Sequence, residues 1–193
     1  MKGFALSFDI LIVCHANLCR SPLAEGLARR LFDETFGPDA VTVASAGTHG
    51  WDGSPMHQGS AQVLAECGVP ADAFVSRTVD ARILNGSDLV LTAAREQRAA
   101  CVTLAPATVG RTFTLRQFAR YAAAVQPAAH LQTGTATERM HALVKEVARV
   151  RHLVPLGEDD LADPMGRPIE AFRTCAEEVW AELTTIVRVI SNP

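Results

Sequence analysis

The chain has 193 residues, of which 48% are hydrophobic and 20% charged, and we expect one globular domain over 1–193. Its net charge of −3 supplies no broad basic surface, which argues against nucleic acid or an anionic membrane as a partner. Any binding of phosphate must therefore depend on a local arrangement of residues.

Short β-branched runs alternate with longer helical patterns in the first half of the chain. The continuous apolar run at 10–13 is typical of a strand covered on both faces. Ser21 and Pro22 then open a helix, which Gly37 and Pro38 end. A second strand is predicted at 41–46, followed by a second helix from about Ser54 to Gly68.

The alternation continues in the second half. Strands are predicted at 88–92 and 112–114, and helices at 95–104, 115–125 and about 138–152; the stretch 126–137, rich in Ala, Gln and Thr, is predicted to be a loop. An acidic turn at 158–164 precedes a long amphipathic helix. This pattern predicts an α/β fold: a doubly wound, four-stranded, mainly parallel sheet with helices on both faces.

The segment most informative about chemistry lies between the first strand and the first helix. In open α/β sheets this crevice binds ligands. A tight loop there points consecutive N–H groups inward, and the helix N-terminus adds about half a positive charge. The predicted phosphate-binding loop consists of His15, Ala16, Asn17, Leu18, Cys19, Arg20 and Ser21.

Two side chains of this segment suit phosphate chemistry. Arg20 can bind two phosphate oxygens with its planar guanidinium. The same positive field stabilises a thiolate at Cys14, which would then lie under the phosphorus atom as a nucleophile. The Ser21 hydroxyl is expected to reach back to the Cys14 sulfur. A buried core thiol is the alternative interpretation of Cys14.

With these residues the sequence resembles the low-molecular-weight protein tyrosine phosphatases. That family shares a Cys-x5-Arg-Ser-Pro loop after the first strand and an Asp-Pro pair before the last helix. Here these are Cys14 to Pro22 and Asp163 with Pro164. The run from Ser45 to Thr48, followed by Trp51, is similar to the family's second strand and cleft-wall loop. The resemblance is weakest at about 105–155, where we expect an insertion around 126–155.

The resemblance implies a two-step hydrolysis of a phosphorylated protein, without metal or organic cofactor. Cys14 forms a cysteinyl-phosphate while Asp163 acts as general acid and then as base; capping of the last helix is the alternative role for Asp163. Asn17, Ser21 and Ser45 would support the loop. Cys19 would form a reversible disulfide with Cys14 under oxidation.

The predicted substrate cleft consists of Leu18, Trp51 and Met165, and it departs from the family. Met165 replaces the usual aromatic residue, so that only Trp51 remains to stack on a phosphotyrosine ring. Phosphatases that act on phosphoarginine carry threonine where Leu18 stands, so Leu18 favours phosphotyrosine and leaves phosphoarginine as an alternative. The family's loop glycine is Ala16 here, and a supporting histidine is replaced by Phe74.

Two other functions use the same loop. An arsenate reductase needs a close pair of resolving cysteines, whereas Cys67 and Cys101 are distant in sequence. A silent phosphopeptide-binding module would be expected to lose Cys14 or Asp163. The sequence makes no prediction of oligomeric state.

The remaining residues bear on the cellular compartment and on the surface of the protein. Five cysteines without zinc-site spacing indicate a reducing compartment, and we expect a cytoplasmic protein. No apolar run approaches the ~20 residues of a membrane span. Surface positions are expected for the charged side chains Asp159, Asp160, Arg77 and Arg95 and for the histidines His15, His49 and His57.

Overall fold

The computed structural model describes residues 7–71, 73–126 and 128–191. Four strands form one sheet: β1 Phe8–Cys14, β2 Val41–Gly47, β3 Leu89–Thr92 and β4 Thr112–Thr114. Their order is β2-β1-β3-β4, and every neighbouring pair is parallel. The predicted four-stranded parallel sheet is therefore confirmed.

Helices connect the strands. They are α1 Arg20–Phe36, α2 Gln58–Glu66, α3 Ala81–Asn85, α4 Arg95–Leu104, α5 Leu115–Ala124, α6 Ala129–Gln132, α7 Ala136–Val150 and α8 Ile169–Ile190, with a 3-10 helix at Pro106–Arg111. None of the helices in the described part of the chain is long and apolar enough to cross a membrane.

Alternate residues of β1 face two separate cores, as the pleat of a strand requires. Ile10 and Ile12 pack into the larger core, which α1, α5, α7 and α8 cover. Leu11 and Val13 pack into a smaller core on the opposite face, beneath α3 and α4. Helices therefore cover both faces of the sheet, in agreement with the doubly wound fold predicted from the sequence.

Several local predictions differ from the structure. The helix expected from Ser54 begins only at Gln58, where the His57 ring nitrogen Nδ1 accepts a hydrogen bond from the Gly59 N–H at 3.1 Å. The predicted loop at 126–137 contains α6, and α7 begins before residue 138 because Thr135 forms a capping box with Glu138. Residue 127 of that loop lies outside the described residues. The short helices α3 and Pro106–Arg111 were not predicted at all. The insertion around 126–155 stays a prediction.

The residues of the predicted site lie at the edge formed by the carboxyl ends of β1 and β3. Because α1 leads from β1 to β2 on one side while β3 lies on the other, this edge is a topological switch point. The acidic turn reaches the same edge, since the Leu161 N–H donates to the Ala93 carbonyl at 2.8 Å, just beyond β3. The predicted phosphate loop and the acidic turn therefore lie side by side.

Candidate active site

The loop between β1 and α1 turns its carbonyl groups outward. The carbonyls of Cys14, His15 and Ala16 accept the N–H groups of Thr48, His49 and Trp51, at 3.0, 2.8 and 3.3 Å. The Leu18 carbonyl accepts the His57 N–H at 2.8 Å. Among the described residues, none accepts a hydrogen bond from the N–H groups of 15–19. The inward face of this loop therefore presents donors, which suits an anion.

Asn17 is the residue on which the loop turns. Its backbone is in the left-handed region, with φ of 55°, and its side chain is fully buried. The side-chain nitrogen donates to Ser21 Oγ at 2.9 Å and to Ser45 Oγ at 2.8 Å. The side-chain oxygen accepts the Arg77 N–H at 2.9 Å. A fully bonded amide of this kind holds a backbone conformation that few side chains tolerate.

Sequence reasoning missed Glu25 and Arg77, whose hydrogen bonds hold Ser45 and Asn17 in place. Ser45 Oγ donates to Glu25 Oε2 at 2.5 Å, and Glu25 is itself buried and paired with Arg29 at 2.6 Å. Arg77, expected to be an ordinary surface charge, also donates from Nε to the Ser45 carbonyl at 2.8 Å. These contacts hold the loop although Phe74 cannot supply the hydrogen bond of a histidine. No local sequence signal distinguishes Glu25 from other acidic residues on α1.

Cys14 ends β1 and its thiol is buried at the base of the loop. Its sulfur lies 3.0 Å from Ser21 Oγ, the contact expected from the sequence. Ser21 Oγ accepts the Asn17 side-chain amide, and its hydroxyl hydrogen has two acceptors in reach, the Cys14 sulfur and the Ala46 carbonyl at 3.4 Å.

Arg20 and Asp163 meet across the site. Arg20 Nη2 lies 2.6 Å from Asp163 Oδ2, and Arg20 Nη1 donates to the Leu161 carbonyl at 3.3 Å. The guanidinium is buried, whereas the Asp163 side chain is 48% exposed. The carboxylate also accepts the Met165 N–H through Oδ1 at 3.1 Å. Arg20 and Asp163, 143 positions apart in the chain, are therefore in direct contact.

A cavity of about 80 Å³ opens over the thiol. Its lining comprises Cys14, His15, Ala16, Leu18, Cys19, Arg20, Asp163 and Met165. Trp51, expected as a cleft wall, is 64% exposed and does not line this cavity, although its backbone is bonded to Ala16. His15 stacks on His49 with ring centroids 4.5 Å apart, both rings exposed. Of the three predicted cleft residues, Leu18 and Met165 line this cavity.

Three of the other cysteines have thiol pKa values above the ordinary value. Burial raises the pKa of the Cys19 thiol to about 12, with the negative charge of Asp163 as a further cause. Burial also raises the pKa of Cys175 to about 12 and of Cys101 to about 11. These three groups are therefore neutral thiols near pH 7. The disulfide expected between Cys14 and Cys19 stays a prediction.

Two of the expected surface positions were wrong, those of Asp159 and His57. Asp159 is not a solvated charge but is 3% exposed, with an ion pair to Arg120. Asp160 accepts the backbone N–H of Arg95 at 2.8 Å at the start of α4. His57 is half-buried and stacks on Phe172, with ring centroids 4.9 Å apart, rather than lying free on the surface. Within the described residues, no group of three or more His, Cys, Asp or Glu side chains is arranged to hold a metal.

Comparison with known proteins agrees with this geometry. Residues 9–132 match the family model described as low molecular weight phosphotyrosine protein phosphatase. The low molecular weight protein-tyrosine-phosphatase Etp of Escherichia coli strain K12 is 34% identical over 110 residues, 57% of this chain and 70% of that protein. The corresponding phosphatase YfkJ of Bacillus subtilis strain 168 is 33% identical over 84 residues, 43% of this chain and 54% of its own length.

Solved structures show the same fold. The YwlE arginine phosphatase from Geobacillus stearothermophilus has a TM-score of 0.68 and 25% identity, with 94% of this chain and 91% of that chain covered. The low molecular weight protein tyrosine phosphatase from T. tengcongensis has a TM-score of 0.70 at 24% identity, covering 94% and 99%. By its phosphate loop, its parallel sheet and the extent of the family match, the chain belongs to the low molecular weight phosphotyrosine protein phosphatase family.

Proposed function

We propose that this enzyme hydrolyses phosphotyrosine in proteins through a cysteinyl-phosphate at Cys14, with Arg20 as the phosphate-binding cation and Asp163 as the general acid. The observation that carries the proposal is one constellation around one small cavity. It brings together a buried thiol, a ring of inward N–H donors, a buried guanidinium and a carboxylate.

In the first step, the Cys14 thiolate attacks phosphorus and the bond from phosphorus to the phenolic oxygen breaks. The electron pair goes to that oxygen, which takes the proton of Asp163. The loop N–H groups and Arg20 stabilise charge on the equatorial oxygens, where it is spread in the transition state. The neutral phenol then leaves.

In the second step, Asp163 takes a proton from water as the water oxygen attacks phosphorus. The bond from phosphorus to sulfur breaks, and its electron pair returns to Cys14 as thiolate. The Ser21 hydroxyl, 3.0 Å from the sulfur, stabilises the departing thiolate. The products are the tyrosine side chain and inorganic phosphate.

The ion pair between Arg20 and Asp163 connects binding to acid catalysis. Phosphate oxygens compete with the carboxylate for the same guanidinium, because Arg20 is the buried cation of the cavity. Substrate binding therefore separates the Asp163 carboxyl from Arg20 and leaves it to face the leaving oxygen.

The cavity walls support an aromatic phosphoester as substrate. Leu18 and Met165 offer an apolar slot at the entrance, which suits a phenyl ring better than the charged guanidinium of phosphoarginine. YwlE bears the name arginine phosphatase, so phosphoarginine is the competitor to test directly. Phosphorylated protein is the proposed partner, and a reducing cytoplasm is the proposed location because the mechanism requires a free Cys14 thiol.

The sheet separates the cysteines that an arsenate reductase would need to pair. Cys67 packs against the larger core, whereas Cys101 is buried in the smaller core on the opposite face. A disulfide between them would require helices to separate from the sheet, because the two thiols lie on opposite faces of it. This arrangement favours hydrolysis over thiol-dependent arsenate reduction.

The deciding experiment compares wild type with Cys14→Ser on an aryl phosphate and on matched phosphotyrosine, phosphoserine and phosphoarginine peptides. We expect wild-type turnover to be highest on phosphotyrosine and the variant to be inactive on all four, while still binding inorganic phosphate. Cys67→Ser is the matched control and should retain full activity. Higher turnover of the phosphoarginine peptide would overturn the substrate assignment, and an active C14S variant would overturn the mechanism.

A further inference from the structure

The acidic turn is attached to the body of the protein by a buried carboxylate four residues before Asp163. The Asp159 side chain is 4% exposed. Its Oδ1 lies 2.8 Å from Arg120 Nη2, and its Oδ2 accepts Gln117 Nε2 at 2.7 Å. Both partners lie on α5. We propose that Asp159 is a positioning residue that fixes Asp163 over the leaving oxygen; this rests on the proposed role of Asp163 as general acid.

The partners of Asp159 are themselves held in place. Gln117 belongs to the capping box of α5, where its Oε1 accepts the Thr114 N–H and Thr114 Oγ1 accepts the Gln117 N–H at 3.1 Å. Both ends of the Gln117 amide are therefore bonded. Since Thr114 ends β4, Gln117 connects the Asp159 carboxylate to the end of a strand of the sheet.

The two residues after Asp159 are attached to other elements. Asp160 accepts the Arg95 N–H at 2.8 Å at the first residue of α4. The Leu161 N–H donates to the Ala93 carbonyl at 2.8 Å, and its own carbonyl accepts Arg20 Nη1 at 3.3 Å. The chain is thus fixed at three consecutive positions before it reaches the acid.

Asp163 has few contacts of its own to fix its position. Its side chain is 48% exposed, and its partners are Arg20 and the nearby Met165 N–H. The bond to Arg20 is the one that phosphate oxygens displace in the proposed mechanism. During acid catalysis Asp163 is therefore held by the Met165 N–H and by the attachments at 159–161, of which Asp159 is the only buried charge.

A buried ion pair is weak support for stability alone, because the desolvation of both ions offsets their attraction. Its directional hydrogen bonds do specify geometry. In catalysis, misplacement of a reacting group by about 1 Å costs roughly 10²-fold in rate. The predicted effect of losing Asp159 is therefore a loss of acid catalysis.

The test uses Asp159→Asn, which keeps the shape but removes the charge, measured with aryl phosphates of good and poor leaving groups. We expect kcat/KM, which reports formation of the cysteinyl-phosphate, to fall about 10-fold to 100-fold for the poor leaving group and to change less than about threefold for the good leaving group. The inhibition constant for inorganic phosphate should not change. Glu66→Gln, which removes one carboxylate from an exposed ion pair with Arg173, is the matched control and should change neither rate.

The same pair of substrates in an Asp163→Ala background separates the two claims. If Asp159 acts through Asp163, D159N should add no further loss to D163A. Equal losses of kcat/KM on both substrates, or additive losses of kcat/KM in the double variant, would overturn the positioning role. A D163A variant that is unchanged on the poor leaving group would instead overturn the proposed function. If D159N proves poorly folded, Arg120→Lys and Arg120→Met give the same comparison, with the lysine variant expected to retain more activity.

Discussion

A single asparagine decides the shape of the phosphate loop. Asn17 occupies the left-handed region with φ of 55°, and its buried amide makes hydrogen bonds to Ser21, Ser45 and the backbone of Arg77. Asn is the residue type that tolerates this conformation best after glycine. The hydrogen bonds explain why glycine would not serve here, since it would keep the turn but release the hydroxyl that faces Cys14.

We expect Asn17→Ala to lower both stability and turnover. The loss of buried hydrogen bonds, together with a poorly tolerated φ, should reduce the free energy of unfolding by about 1–3 kcal/mol. Turnover should fall about tenfold or more, because Ser21 loses a bond that orients it. Urea unfolding and aryl phosphate kinetics would measure the two effects.

The control for this substitution is Asp39→Ala. Asp39 is the other described non-glycine residue with positive φ, 66°, and it is exposed. It should show the backbone cost without any change in turnover. A similar fall in turnover in both variants would indicate that the hydrogen bonds of Asn17 do not support the loop.

At the scale of elements, the close approach of β2 to the phosphate loop demands a glycine. Gly47 pairs with Cys14 across the parallel ladder. A Cβ at this position would lie 2.5 Å from the His15 carbonyl oxygen and 2.8 Å from the Asn17 nitrogen. Both are backbone atoms of the loop, so a side chain here would displace the N–H donors that face the anion.

Gly47→Ala is therefore expected to impair catalysis more than folding. Overpacking of this kind costs about 1–3 kcal/mol in stability. Turnover and phosphate affinity should both fall by about tenfold or more, as followed by kinetics and phosphate inhibition. Gly110→Ala is a suitable control, because a Cβ there meets no atom within 4 Å. Normal phosphate affinity in G47A would contradict the proposed crowding.

How far the sequence predicts these features depends on the range of the interactions. The continuous apolar run of β1 and the loop from Cys14 to Ser21 are local patterns, and both were predicted. Burial of Asp159 depends on Arg120, 39 residues away, so the local acidic run indicated a solvated charge instead. Arg77 supports Asn17 through its backbone N–H, a group that every residue except proline carries. Neither contact leaves a signal in local composition.

At the scale of the whole molecule, one ion pair joins α2 to α8 far from the chemistry. Arg173 Nε and Nη2 donate to the two oxygens of Glu66 at 2.9 and 2.8 Å. The bonds from Arg173, followed by that from Gln62, lower the pKa of Glu66 to about 2 from its ordinary 4.5. Both side chains are partly exposed, so the contribution to stability is small and screened by salt.

The sign of the pH dependence follows from this lowered pKa. A carboxyl whose folded pKa lies below its unfolded value stabilises the protein above pH 4.5, and that contribution is lost as the pH falls toward 2. Wild type should therefore have a higher urea midpoint than Glu66→Gln at pH 6, with the difference shrinking at pH 4 and again at pH 3. A difference that stays constant over this range would show that the ion pair is not its cause.

The contact between Arg20 and Asp163 joins residues 143 positions apart in the chain. Synthesis at about 5–20 residues per second separates their emergence from the ribosome by roughly 7–30 s. During that interval the nascent chain already carries the Cys14 thiol, but it lacks Asp163 and Met165, which line the cavity over the thiol in the finished fold. We therefore expect the Cys14 thiol to react faster with oxidants in the incomplete chain than in the folded enzyme, where it is buried.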